Sequence, residues 1–240
     1  MKRKFWFGVL AVGLIFSLGT GVGRAALVNL GPGSFTPEAT VITFSEYILG
    51  TQNPSYSFTG LPNLGDVTVN FGGFFVGQSQ VGNTLSDHTP DNPLALDSAS
   101  PYTFITSDGA NPTSPVLSGY PRFAGTIAIL FSVPVAGVGL DGGYFDALNS
   151  TTIEAYDANG NILGSITNSQ YGIEFFGLAD SSGQNVIKGI SFYITGDEPA
   201  GYAIDNLTFG AAQVIRTPEP GILLLLGAGI LGLLGIRRKR

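Results

Sequence analysis

The chain has 240 residues, 44% hydrophobic and 12% charged, with 35 Gly, 14 Pro, no Cys and one His, a balance that can supply a core and argues against a disordered acidic chain. Gly and Pro spread without a three-residue period disfavour long helices, coiled coils and collagen, the absence of Cys excludes disulfides and thiol chemistry, and the lone His88 excludes a multi-histidine metal site. The net charge of −6 argues against nucleic acid as a partner.

In chain order, Lys2-Arg3-Lys4 leads into an uncharged stretch from Phe5 to Gly23, followed by Gly23-Arg24-Ala25-Ala26. A basic start, an apolar run and small residues before the break predict a secretory signal peptide over residues 1–25, cut by signal peptidase after Ala25 or one residue later. An uncleaved membrane anchor is the alternative. The body, residues 26–216, holds three basic residues, Arg122, Lys188 and Arg216, against sixteen carboxylates, a net charge of −13. It has no Trp, since Trp6 lies in the leader.

Strand-like runs fill the body, with no amphipathic helical stretch of useful length. The earlier ones are Val41–Phe44, Asp66–Phe71, Tyr102–Ile105, Gly125–Phe131 and Val135–Leu140; Thr151–Tyr156, Ile162–Ile166, Tyr171–Phe176, Ile187–Ile194 and Tyr202–Phe209 follow. Ten short strands predict an all-β fold, a single jelly-roll-like β-sandwich domain over 26–210 with a linker at 211–217. Alternation in Gly125–Phe131 is blurred, which suits strands covered on both faces. Gly77 to Ser118, rich in Ser, Asn, Pro and Asp, reads as one or two surface loops.

Beyond the body, Pro218-Glu219-Pro220 precedes an uncharged run over residues 221–236, and Arg237-Arg238-Lys239-Arg240 closes the sequence. Sixteen helical residues extend about 24 Å, enough for a transmembrane helix if the bilayer thins or the basic ends snorkel. The basic tetrapeptide acts as a stop-transfer signal and stays cytoplasmic. The two prolines hold the preceding segment extended, where an enzyme can reach it.

Residues 218–240, with these three parts in order, closely resemble the PEP-CTERM sorting signal of Gram-negative bacteria. The resemblance implies an exosortase substrate, held in the inner membrane before processing and then delivered to the cell surface or the extracellular polymer matrix, often beside exopolysaccharide genes. More loosely, Ile42-Thr-Phe-Ser-Glu46, Ser132–Leu140 and Ala203-Ile-Asp-Asn-Leu-Thr-Phe209 resemble secreted bacterial jelly-roll modules and carbohydrate-binding modules. In those the first and last strands lie side by side and hold a structural calcium. That implies Glu46 and Asp205 as metal ligands, hard oxygen donors suited to such a cation.

Other motifs read more plainly. Asp157-Ala-Asn159-Gly160-Asn161 begins like a calcium loop, but its twelfth position is Asn168 and not Glu, so a hairpin turn is expected. Asp141-Gly-Gly-Tyr-Phe-Asp146 reads as a strand-end turn in preference to a ligand loop. His88 reads as a solvated loop residue, and no catalytic constellation emerges. Without Trp, the stacking platforms left for sugars are tyrosines, including Tyr120, Tyr144, Tyr171 and Tyr202. The first functional expectation is a non-enzymatic structural or adhesive protein of a biofilm matrix. A carbohydrate-binding module is the second, and a polysaccharide-active hydrolase the third.

Overall fold

The computed structural model describes residues 27–113 and 115–215. The leader over 1–25, Pro218, Glu219 and Pro220, the helix over 221–236 and the basic residues Arg237 to Arg240 lie outside the described residues. No helix among the described residues is long and apolar enough to cross a membrane.

The described chain forms β1 (Leu27–Asn29), β2 (Thr40–Ile42), β3 (Ser55–Leu61), β4 (Gly65–Gly72), β5 (Ser79–Val81), β6 (Thr84–Asp87), β7 (Thr103–Thr106) and β8 (Val116–Gly119). The longer β9 (Ile127–Val135), β10 (Gly137–Phe145), β11 (Thr151–Tyr156), β12 (Ile162–Thr167), β13 (Gly172–Asp180), β14 (Ile187–Ile194) and β15 (Ala203–Gly210) follow. The first sheet runs β1-β13-β10-β15-β8-β7, with β2 also paired to β15; the second runs β12-β11-β14-β9-β4-β3, with the β5–β6 hairpin on β14. Neighbours are antiparallel except for the β6–β14 contact at Thr84 and Ile194. The result is an all-β sandwich.

Alternation decides which side chains fill it. In β9, Ile127, Ile129 and Phe131 point into the main core. Ala128 and Leu130 face the other way, against Phe75, Leu94 and Leu96 from an excursion that covers the second sheet. That second covering layer is why the alternation is blurred. At the centre, Phe145, Phe176, Phe192 and Tyr202 pack edge to face, with successive ring centroids 5.8, 5.1 and 4.7 Å apart. Gly142 belongs here for lack of space: a Cβ on it would lie 2.8 Å from the Phe192 ring and 2.9 Å from that of Phe176.

Three expectations are corrected. The stretch from Gly77 to Ser118 holds β7, close to the expected strand at Tyr102–Ile105, but it also contains β5, β6 and most of β8, whose three or four residues are too few to show a period; neighbouring strands hold them. Asp141 to Phe145, expected as a turn, are the second half of β10, with Asp146 just beyond it, and the glycines mark close approach, of core rings to Gly142 and of the Gly172 carbonyl, 2.6 Å from a Cβ on Gly143. His88 is part-covered: its ring packs on Tyr193 at 4.9 Å, and its Nδ1 lies 3.5 Å from Glu154. The Asp157–Asn161 segment does form the β11–β12 turn, with the Asp157 carboxylate accepting from the N–H groups of Asn159 and Asn161 at 2.8 and 2.9 Å.

Candidate functional site

The strand before Glu46 lies beside the last strand, with Ile42 opposite Leu207. A bulge shapes β15 here: the register slips between Gly139 and Asp141, and Asn206 adopts a φ of 50°, which Asn tolerates better than most residues. The slip sets Asp205 directly opposite Asp141. Asp205 is fully buried; its carboxylate accepts from the Asn206 N–H at 2.7 Å and from the Thr113 hydroxyl. Asn206 donates its side-chain N–H to Asp141 at 2.8 Å. Exposed Glu46 accepts from the Thr43 N–H and hydroxyl at 3.1 and 3.0 Å.

Burial pushes the Asp205 carboxyl up to about 6; the Thr113 and Asn206 bonds oppose this, and the charges of Asp141 and Glu46 add to it. Neither described basic side chain compensates. Arg122 and Lys188 donate instead to the carbonyls of Ser107 and Ser132, at 2.5 and 2.7 Å. Among the described residues, no group of three His, Cys, Asp or Glu side chains could hold a metal. The donors are right in type for calcium but too few to form its cage of six to eight oxygens by themselves.

A folded-state pKa above the unfolded value means that the native state takes up the proton more readily. The penalty of the buried charge is therefore fully present above about pH 6 and is relieved as pH falls towards 4. Asp205→Asn keeps the bond from the Asn206 N–H and can donate its amide to the Thr113 hydroxyl, which in turn donates to Asn111; it is expected to stabilise the protein at pH 7 by about 1–2 kcal/mol, the shift being discounted for screening. The gain should vanish near pH 4. Denaturant melts across this range check it.

The sandwich has two distinct ends. At the first, Ile215 pairs with Phe35 and packs on Leu30, Ala136 and Ala179, where β10 begins. The other end lies about 26 Å away along β10. There the loops after β8, β10, β12 and β14 gather, locked by buried polar residues. Glu198 accepts from the N–H groups of Asp146 and Ala147 at 2.9 and 3.3 Å and from the Ser150 hydroxyl at 2.6 Å. Asn168 accepts from the N–H groups of Ser150 and Thr151 at 2.8 and 2.9 Å and donates to the Ala147 carbonyl at 2.7 Å. Glu174 accepts from the N–H groups of Ser169 and Gln170 at 2.7 and 3.0 Å.

At this end Tyr144, near the end of β10, and Tyr171, on the loop after β12, are 48% and 66% exposed, and Tyr120, on the loop after β8, is 49% exposed. Tyr202 is not a platform: its ring is in the core, and its hydroxyl lies 2.7 Å from the carbonyls of Gly125 and Phe192. The Glu198 and Asn168 locks leave no mark in the sequence because they join segments separated along the chain; Glu174 reaches back only to the adjoining loop.

A second buried polar cluster lies on the outer face of the second sheet. Glu154 accepts from the hydroxyls of Tyr156 and Tyr193 at 2.8 and 3.3 Å, and burial, followed by the Glu154 charge, holds both phenols above their usual range. Gln78 donates to the Tyr156 hydroxyl and the His88 carbonyl at 3.0 and 3.2 Å. These bonds pin the covering excursion to the sheet.

The fold and its two ends define the class as an all-β sandwich followed by a sorting tail. Residues 216–240 match the PEP-CTERM protein-sorting motif, and that motif implies an exported exosortase substrate, anchored transiently in the membrane. No match was found among the curated proteins. Among solved structures, the chain is similar to a family 29 carbohydrate-binding module, at 13% identity over 76% of this chain and 98% of that one, with a TM-score of 0.29. It is also similar to the K2 cleaved adhesin domain of Lys-gingipain, at 9% identity over 71% and 98%, with a TM-score of 0.29. A third is the enzymatically active domain of tailspike protein 4 of bacteriophage CBA120, at 14% identity over 67% and 19%, with a TM-score of 0.24.

Proposed function

We propose that this is a non-enzymatic surface or matrix protein whose sandwich adheres to extracellular polysaccharide, in a biofilm setting, after processing at the sorting motif. The observation that carries this reading is the domain's polarity. Ile215, the residue before the motif, is packed at one end, and Tyr120, Tyr144 and Tyr171 are exposed at the other. A body tethered at the first end would turn those rings outward, and Tyr offers both a stacking face and a hydroxyl to a sugar. The buried carboxylates of Glu154, Glu174 and Glu198 are engaged in holding loops and sheet together, which favours a non-catalytic role. The processed protein is expected to co-sediment with polysaccharide extracted from producing cells. Recovery entirely in polysaccharide-free medium would contradict adhesion.

A structural calcium held by Asp205 and Glu46 is a second reading, favoured by a buried carboxylate that feels the charges of two others. Main-chain or water oxygens would have to complete the coordination. Millimolar calcium should then raise the melting temperature of the wild type and not that of Asp205→Asn. A wild-type melt insensitive to both calcium and chelator would remove this reading.

A further inference from the structure

Beside the far end of the sandwich, a groove of about 580 Å³ runs between the β5–β6 hairpin and the loop after β8, within the usual size range of small-ligand sites. Tyr120 forms one wall and Ser79, Gln80 and Asp97 lie along it. The Tyr120 ring stacks on Tyr102 at 4.9 Å with 28° between the planes, while half of the residue stays exposed.

The loop that carries it is pinched shut. Gly119 pairs with Gly125, and a Cβ on Gly119 would lie 2.3 Å from the Gly125 carbonyl oxygen. Inside the loop, the Ala124 and Gly125 N–H groups donate to the Pro121 carbonyl at 2.9 and 2.8 Å, and the Phe123 N–H donates to the Ser118 hydroxyl at 2.7 Å. Tyr202 N–H donates to the Phe123 carbonyl at 2.6 Å. Ordering this aromatic wall therefore costs little at the moment of binding.

The facing wall is also fixed, with capacity to spare. Gln80 donates one amide N–H to the Gly82 carbonyl at 2.7 Å and accepts from the Thr126 hydroxyl at 3.1 Å, so a second N–H and a second lone pair remain. Asp97 accepts from the Ala99 N–H through Oδ1 at 2.7 Å, and its other oxygen can accept as well. A flat aromatic ring opposite amide and carboxylate groups suits a pyranose, whose apolar face stacks and whose hydroxyls donate and accept. The groove has no basic lining residue, carries Asp97, and belongs to a body of net charge −13. Phosphate, sulfate or uronate groups would meet repulsion with nothing to pair them.

We infer that this groove binds a neutral glycan, with Tyr120 as the stacking platform and Gln80 and Asp97 as hydroxyl partners. This rests on the adhesive reading above and assigns it a site and a sugar class. The test is affinity electrophoresis of the full chain in a detergent without a sugar headgroup, through gels holding a mannan, a β-glucan or a galactan, with alginate as the anionic polymer. At least one neutral polymer is expected to retard the wild type. Tyr120→Ala should weaken that retardation about tenfold or more, because the ring supplies most of the stacking area. Gln80→Ala should weaken it too, and Tyr120→Phe should keep it. Undiminished binding by folded Tyr120→Ala and Gln80→Ala, with loss in Tyr144→Ala or Tyr171→Ala, would overturn the groove while leaving adhesion to polysaccharide standing. Retardation by alginate alone would overturn the neutral class. No retardation by any polymer would overturn both the groove and the adhesive reading.

Discussion

Replacing Glu198 with alanine is expected to destabilise the protein by about 3–4 kcal/mol and to loosen the end of the sandwich that displays the tyrosines. Glu198 is buried and satisfies three donors on the loop between β10 and β11, two of them main-chain N–H groups. The two part-buried main-chain donors lose their only acceptor, whereas the Ser150 hydroxyl keeps the Ala147 carbonyl and Asn168 within reach; hydrogen bonds to a charged group are worth about 1.5–3 kcal/mol each, and water entering the gap recovers part of the total. The effect should also be local. Hydrogen exchange in the Glu198→Ala variant should rise first at Asp146, Ala147 and Ser150, with the β9–β14 pairing still protected. Uniform loss of protection would show that Glu198 is part of the global core and not a lock on one loop cluster.

The other large effect lies in the core. Phe192→Ala should cost about 3–5 kcal/mol, the transfer term of the ring plus the cavity it leaves. Gly142→Ala should cost about 1–3 kcal/mol by overpacking, since its new Cβ would overlap the Phe192 and Phe176 rings. The two changes should not add. With the Phe192 ring gone, one of the clashing partners is absent and the methyl introduced by Gly142→Ala occupies part of the vacated space, so the double variant should be more stable than the sum of the single effects by about 1 kcal/mol or more. Urea melts of the four proteins measure this directly. Additivity would mean that the backbone at Gly142 shifts to accommodate a methyl, and that the close approach is not what requires glycine there.

These residues also show what the sequence discloses and what it hides. Thr151–Tyr156 and Ile187–Ile194 have the same bounds as expected from their apolar content. Pairing information is inside such strands, because burial on one or both faces leaves its mark on composition. β3 is legible in principle, as Tyr56 and Phe58 alternate with Ser55, Ser57 and Thr59, but the alternation is short and breaks at Gly60. β1, β5, β6 and β8 are three or four residues long and take their form from a partner strand, so no local pattern could announce them. The site divides in the same way. That the Glu46 end of β2 comes towards Asp205 follows from β2 lying beside the last strand, β15. That Asp141 faces Asp205 depends on a bulge at Asn206, and bulges leave no reliable local signature. The groove at Tyr120 joins residues from four separate segments, so only the folded chain reveals it. The sorting tail, by contrast, is read by an enzyme as a linear sequence, and it is wholly legible.

Processing of the carboxyl terminus is the most direct test of the central claim, that this is an exported protein sorted through its Pro218-Glu219-Pro220 segment. The full chain and a variant with all three residues changed to alanine should be produced in a host that carries exosortase, then fractionated and measured by intact mass spectrometry. The wild type is expected at the surface or outside the cell with its tail removed, and the variant in the inner membrane with the tail still attached. The same mature carboxyl terminus and the same surface location for both proteins would contradict it.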